Sequence, residues 1–275
     1  MAKNTRFRMM RLPLSHLEII CCSVDPLGPW DHPDLAAPYW RLYYHDRRGA
    51  YVVWRRRRIG LPARRAVVIP PYTSFASGIA NPPAPVVTQL FVHFIIPQFQ
   101  WHAEPGVYVL KSMRQFDEIA ADLISRTAGS DLDPGEGFRV IGAVMQSLAR
   151  MPADAFHRRV LDDRIRRAVE LMTENAGAPV DNATLAASVQ MSTRTFTRAF
   201  ARQVGTSPHR HLMKIRLDRA AVLLGHSDET IERIAEECGV NERSYFTRAF
   251  TKMWGAPPAA FRKATLRRWP GSTQA

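Results

Sequence analysis

Cysteine is scarce: adjacent Cys21 and Cys22 and the distant Cys238 are the three in 275 residues. That set excludes a disulfide framework and paired zinc-ligand spacing, and predicts reduced, mostly buried thiols. Also missing is any apolar run of about 18 residues, so no membrane-spanning helix is expected. The basic start Met1-Ala2-Lys3-Asn4-Thr5-Arg6-Phe7-Arg8 leads into no apolar stretch of signal-peptide length, which points to a cytoplasmic protein with no membrane partner. His45, His93 and His102 stand isolated, none of them in a His-x-His pair, so the clustered histidines and carboxylate of a metal-dependent enzyme are missing. Serines, histidines and acids are scattered without nucleophile or metal spacing. No catalytic residue, metal ligand or cofactor is therefore expected.

Acid is in short supply as well, with 25 Asp and Glu against 38 Lys and Arg, a formal charge of +13. Coulomb attraction and release of condensed counterions draw such a chain to a polyanion, and nucleic acid is the default one. Apolar and charged fractions of 46% and 23% are those of an ordinary globular protein, which leaves no reason to invoke disorder. The length allows two compact domains.

The strongest internal signal is a repeat. Thr197-Arg198-Ala199-Phe200 recurs as Thr247-Arg248-Ala249-Phe250 and Gly205 as Gly255, all at an offset of 50, while Leu185-Ala186 matches Ile234-Ala235 at 49. Each copy reads as a short helix, a tight turn and a second helix. In the first, Asp181 caps a helix carrying Leu185, Ala186 and Val189, Met191-Ser192 forms the turn, and Ser192 caps a helix with Phe196, Ala199 and Phe200 inward. In the second, Thr230 caps the first helix and Asn241 the next, whose apolar stripe is Tyr245, Phe246, Ala249 and Phe250. Gly205 and Gly255 supply left-handed stops. Between the copies, Pro208 opens a helix to about Leu224, a rigid spacer of roughly 25 Å. Two helices held at that spacing suit successive major grooves on one face of a duplex, which repeat every 34–36 Å or so.

Outward-facing residues carry the chemistry. Arg194, Thr197, Arg198 and Arg202 lie on the outer face of the first recognition helix, and Arg243, Ser244, Thr247, Arg248 and Lys252 on that of the second. Arginine forks onto guanine O6 and N7, and hydroxyls reach bases or phosphates. For any single arginine a merely solvated charge is the competing explanation; the repeated set favours double-stranded DNA.

From Asp181 to Lys263 the chain resembles the AraC/XylS family of bacterial transcription regulators. The resemblance rests on Leu185-Ala186 through Met191-Ser192, Arg194 through Gly205 with Ser207-Pro208, Arg216 through Leu224, and Ile234-Ala235-Glu236-Glu237-Cys238-Gly239-Val240 running on to Tyr245-Phe246-Thr247-Arg248-Ala249-Phe250, Gly255 and Pro257-Pro258. Val240 stands where the family usually has Phe, and Gln190 where it has Gly. Neither departure touches the base-reading face. The resemblance implies promoter binding, contact with RNA polymerase and activation, with Arg194, Thr197 and Arg198, and then Arg243, Ser244 and Arg248, as base readers. It also implies that the first helix reads more strongly than the second.

Ahead of this region, short apolar or alternating runs (Leu17 to Ser23, Trp40 to Tyr44, Tyr51 to Trp54, Ala66 to Ile69, Gln89 to Ile96) are separated by turn signals, among them Arg48-Gly49, Pro70-Pro71 and Asn81 to Pro85. They predict a small β-sandwich or barrel. This part resembles the cupin-like effector domain of the same family, with Ala66-Val67-Val68-Ile69-Pro70-Pro71-Tyr72 as the matching strand and turn. The resemblance implies sensing of a small-molecule effector such as a sugar, and the missing histidine cluster favours sensing without a metal. Trp40, Arg41, Tyr43, Trp54, Tyr72, Ser74 and His93 are the candidate ligand contacts, with ordinary core packing as the alternative for the aromatics.

Two amphipathic stripes follow, Phe116, Ile119, Leu123, Ile124 and then Phe138, Ile141, Val144, Met145, Leu148, joined by a loop from Asp131 to Gly137. They either pack on the sandwich or form the homodimer interface that the resemblance favours. The predicted layout is an α+β two-domain chain: a cupin-like domain over 1–110, a helical dimerisation pair over 111–174, a linker over 175–180 and a double helix-turn-helix domain over 181–265. The expected function is a DNA-binding regulator under effector control. A regulator whose front domain only dimerises, and a cupin enzyme with a DNA-binding tail, are the alternatives.

Overall fold

The computed structural model describes residues 17–27, 36–80, 86–96, 101–125, 133–158 and 160–266. The Asn81 to Pro85 turn and the start of the loop at Asp131 lie outside them. The amino-terminal part consists of β1 (Glu18–Pro26), β2 (Trp40–His45), β3 (Ala50–Trp54), β4 (Arg57–Gly60), β5 (Val67–Ile69), β6 (Ala76–Ile79), β7 (Thr88–Ile95), β8 (Trp101–Ala103) and β9 (Tyr108–Val109). Then come α1 (Arg114–Ser125), α2 (Pro134–Ala149), a short 3-10 turn, and β10 (Phe156–Arg158). The remainder is helical: α3 (Asp163–Glu174), α4 (Asn182–Ser188), α5 (Thr193–Val204), α6 (Pro208–His226), α7 (Ile231–Glu237), α8 (Arg243–Trp254) and α9 (Pro258–Leu266). No helix among the described residues is long and apolar enough to cross a membrane.

Two antiparallel sheets make the sandwich, one ordered β1-β7-β2-β5-β9 and the other β4-β3-β6, with β10 and β8 pairing separately. Successive side chains in a strand point to opposite faces. In β2 and β7 both faces are buried, so the two parities meet different cores. Trp40, Leu42, Tyr44, Leu90, Val92 and Phe94 pack under α1 and α2 through Phe116, Ala120, Leu123, Val140 and Val144. Tyr43, Val67, Ile69 and Phe91 face Val52 of the second sheet. The unexpected hairpin β3–β4 turns on Arg55 and Arg56, both left-handed at φ of 48° and 63° without a glycine.

Four expectations need correction. The stripe assigned to α2 is rotated: Glu136, Val140, Ala143, Val144 and Ser147 are buried, while Phe138 is 72% exposed. Asp133 forms a capping box with Glu136, so residues 134–137 are the first turn of the helix rather than loop. Helix α3, grouped by sequence with the dimerisation pair, instead packs Ile165, Ala168, Val169 and Met172 against Leu185, Phe196, Phe200 and Leu212. The carboxy-terminal domain thus starts at α3. Residues 175–180 are not a free linker either, because the Arg216 guanidinium donates to the Ala176 and Ala178 carbonyls at 2.8 Å each.

Candidate nucleic-acid interface

Each helix-turn-helix unit is built from local signals. In the first, Asp181 accepts the Thr184 N–H at 2.7 Å to start α4, and Ser192 accepts that of Thr195 at 3.3 Å to start α5. Thr230 caps α7 in the same way, accepting from Arg233 at 3.1 Å. The second recognition helix departs from expectation: Glu242, not Asn241, holds the cap position of α8 and makes no side-chain cap bond. Its carboxylate is engaged elsewhere, accepting from Ser244 Oγ at 2.5 Å and facing Arg248 at 3.8 Å. Gly205 and Gly255 end the two helices at φ of 82° and 74°, values that Cβ sterics disfavour in other residues.

Helix α6 joins the units through both cores. Its first half contributes Leu212 to the cluster of Phe196 and Phe200, and its second half contributes Leu217, Ala220, Ala221 and Leu224 to that of Phe246, Phe250 and Phe261. Each fully buried Phe contributes about 1.5–3 kcal/mol through apolar transfer. The two units are therefore one rigid block.

From residues 193–200 to 243–250 burial repeats residue for residue: Phe196, Phe200, Phe246 and Phe250 are buried, Thr197 and Thr247 half-buried, and Arg194, Arg198, Arg243, Ser244 and Arg248 exposed, as are Arg202 and Lys252 one turn on. The Thr197 hydroxyl donates back to the Thr193 carbonyl at 2.8 Å. Tyr245, expected inward, is 38% exposed, because it occupies the position of Thr195 in the repeat and shares the outer face with Ser244 and Arg248. The 50-residue register, applied strictly, would have revealed it.

Charge separates the two faces. Arg243 pairs with Glu232 at 2.6 Å and Arg248 with Glu242, whereas Arg194, Arg198 and Arg202 have no ion pair among the described residues. Exposed pairs of this kind contribute about 0–1 kcal/mol, so they yield readily to a phosphate. The α5 face presents its full charge; the α8 face is partly self-neutralised.

The ligand candidates scatter over three environments. Trp40 belongs to the outer core, stacked on Phe94 at 5.9 Å. Trp54 lies half-buried under the Arg55 guanidinium. Tyr72 sits at the domain boundary with a left-handed φ of 59°, its hydroxyl donating to Asp218 Oδ2 at 2.6 Å and its ring stacked on Trp254. Lys214 donates to both oxygens of that pair, at 2.5 Å and 2.7 Å. Burial raises the Asp218 carboxyl above its ordinary range, with Lys214 opposing the shift, and burial and Asp218 together keep the Tyr72 hydroxyl protonated. Ser74 is exposed.

Arg41, Tyr43 and His93 do come together, on the inner face of the sandwich. Arg41 is register partner of His93, and His45 of Gln89, so all four point into the interior beside Tyr43 and Phe91. Arg41 is fully buried between the Tyr39 and Phe75 rings, 5.0 Å from each centroid, and its Nε and Nη1 have no hydrogen-bond partner. The same holds for Gln89 Nε2 and Ser77 Oγ. His93 is not isolated: its Nδ1 lies 3.0 Å from Nε2 of His226 on α6, and Tyr39 packs against both rings. His45 and Gln89 escaped the sequence reading, although they continue the odd-numbered parity of Arg41, Tyr43, Phe91 and His93. That alternation was the available signal.

The family described as a helix-turn-helix domain matches residues 185–264. The regulator GbdR of Pseudomonas aeruginosa is 33% identical over 95 residues, 34% of this chain and 26% of that protein. The transcriptional activator RhaS of Escherichia fergusonii is 25% identical over 179 residues, covering 62% of this chain and 63% of RhaS. Residues 185–264 thus carry an AraC-type helix-turn-helix domain. The chain's match spans only about a quarter of the length of the first curated relatives. Fatty-acid-bound ToxT of Vibrio cholerae aligns over 97% of this chain and 100% of its own at a TM-score of 0.53 and 10% identity, which shows a shared two-domain fold.

Against the AraC/XylS pattern, the two departures have local physical readings. Gln190 adopts φ of 55° at the turn where the second unit uses Gly239 at 72°, so the side chain stands in a strained left-handed conformation. Val240 is buried in the core of the second unit, a position concerned with packing. Neither lies on the exposed face of α5 or α8.

Proposed function

We propose that this chain is a cytoplasmic, sequence-specific transcription regulator that binds promoter DNA through α5 and α8 and responds to a small-molecule effector. The carrying observation is the repeated exposed face, with Arg194, Arg198 and Arg202 on α5 free of ion pairs among the described residues. The matched helix-turn-helix domain supports promoter binding, and similarity to RhaS, named an activator, supports activation; contact with RNA polymerase belongs to the same proposal. Arg194 and Arg198 read bases, Thr197 and Arg202 support them, and Arg243, Ser244, Tyr245, Thr247, Arg248 and Lys252 grip the next groove. On the cognate site Arg198→Ala should cost about 1–3 kcal/mol and relax preference at one position. Arg248→Ala should cost less, since Glu242 already offsets part of its charge. Salt-controlled binding to the genomically mapped site and to single-base variants measures both; a uniform loss across sequences would make Arg198 a phosphate contact.

The effector is received by the inner face of the sandwich, where Arg41, Gln89 and Ser77 keep hydrogen-bonding capacity that burial alone does not satisfy. Its occupancy biases the Tyr72–Asp218–Lys214 contact and the way the two domains sit together. Homodimerisation fits the stripe of Phe138, Ile141 and Met145 that α2 turns away from the sandwich. Sedimentation of Phe138→Glu should show monomer where the parent chain shows dimer; an unchanged dimer moves the interface elsewhere.

A further inference from the structure

We propose that Cys21, His93 and His226 form a binding site for one thiophilic divalent transition ion, with zinc as the best match, at the junction of the sandwich and α6. Cys21 and His93 are register partners on antiparallel β1 and β7, so their side chains leave the sheet on the same face. A bulge between Ile19 and Cys21 adjusts the aim of β1 at that point. The third ligand arrives from the other domain, at the last residue of α6.

The tautomer of His226 is set by its own helix. Nδ1 lies 3.0 Å from the Val222 carbonyl, a partner that only an N–H satisfies, which leaves the Nε2 lone pair directed at His93 Nδ1. A ring nitrogen held by a backbone carbonyl while the other faces the cluster is the usual preparation of a metal-binding histidine. Sγ and the two ring nitrogens all lie within 4.8 Å of one another. Around a tetrahedral ion with metal–nitrogen bonds of about 2.0–2.1 Å and metal–sulfur bonds of about 2.3 Å, ligand atoms stand roughly 3.3–3.7 Å apart. The cluster needs only side-chain adjustment to reach that geometry.

The surroundings select the kind of ion. Tyr39 packs on both imidazoles, with ring centroids at 4.8 Å and 4.9 Å, and Phe91 on His93 at 5.2 Å, so the walls are aromatic. No carboxylate belongs to the cluster, and Arg41 is register neighbour to His93. Magnesium and calcium require oxygen ligands and are disfavoured there. A two-nitrogen, one-sulfur set suits zinc or cobalt and leaves a fourth position for water or an effector donor. Resting on the regulator reading, such an ion ties β1 and β7 to the end of α6 and so couples the sandwich to the spacer between the recognition helices.

The test uses the reduced full-length chain, stripped with a chelator and titrated anaerobically with cobalt(II). The expected result is one equivalent bound, with a thiolate-to-cobalt charge-transfer band and the visible bands of tetrahedral cobalt, both displaced by zinc. Cys21→Ser should lose the charge-transfer band, and His226→Ala should weaken binding at least about tenfold. Circular dichroism checks that both variants are folded. Cys22→Ser, whose side chain packs on the opposite core, should leave the spectrum unchanged, as should replacing the separate pair His102 and His157. No cobalt bound by the parent chain, a thiolate band that survives Cys21→Ser, or loss on replacing His102 and His157 would overturn the site. Cobalt is read without DNA, so that failure leaves the DNA reading standing; absence of a specific operator leaves the metal site standing.

Discussion

From Asp163 onward, Thr265 alone among the described residues is a buried polar side chain, and its hydroxyl donates back to the carbonyls of Phe261 and Arg262. The sandwich does the reverse, enclosing Arg41, His45, Ser77, Gln89 and His93. The helical domain has an apolar interior and displays its chemistry outward, the disposition suited to a long, rigid polyanion. The sandwich holds polar groups inside at an energetic cost, the disposition suited to a small molecule that enters and satisfies them. Stability should therefore respond to pH and to polar substitution in one domain and to backbone geometry in the other.

Acid should break the comparison most strongly. Burial pushes the His45 imidazole down to about 4 from its ordinary 6.5, against a smaller opposing influence of Asp46. A depressed folded value means that the contribution is present above pH 6.5 and is lost as pH falls towards 4, because the unfolded chain takes up the proton first. The full loss is about 3 kcal/mol. Denaturant titrations of the sandwich, followed by tryptophan fluorescence at several pH values, should show this, and His45→Gln should flatten the profile. An equally steep profile in His45→Gln would assign the effect to another group.

Next in size is Arg41→Met. Removing a fully buried guanidinium with unpaired Nε and Nη1 should stabilise the protein by about 1–2 kcal/mol and, on the proposed function, abolish the effector response. A loss of similar size would show that the two flanking rings compensate the charge by themselves, and the sandwich interior would then be ordinary core.

The smallest effect sharpens the other side. Gln190→Gly should stabilise the helical domain by roughly 0.5–1 kcal/mol by relieving a left-handed side-chain conformation. Gly239→Ala at the matching turn should cost more than that, since a Cβ there meets the Gly177 carbonyl oxygen at 2.8 Å. Thermal melts of both variants at neutral pH measure the pair. Equal and opposite shifts would mean that turn strain alone governs both units.

Much of the fold was legible because it is local. The caps at Asp181, Ser192 and Thr230, the stops at Gly205 and Gly255, and strands β1, β2, β3, β5 and β7 each announce themselves within a few residues. The β3–β4 hairpin did not, because two arginines take the left-handed turn positions where glycine or asparagine would have signalled them. Helix α2 was read with the wrong face inward because apolar residues lie on both sides of it and periodicity cannot choose between them. Helix α3 had a clear amphipathic stripe, but nothing local says which core receives it.

By itself the sequence determined the two helix-turn-helix units and their outward arginines, since cap, turn and 3.6-residue periodicity are short-range properties of the chain. It also determined which parity of β2 and β7 carries polar groups. Tertiary structure alone decided what those groups meet. His93 reaches His226 across 133 residues, Tyr72 reaches Asp218 across 146, and Arg41 comes to rest between Tyr39 and Phe75. Hydrophobic patterning specifies that a face is buried but not its partner, and the partner is chosen by how two cores and one long helix pack together.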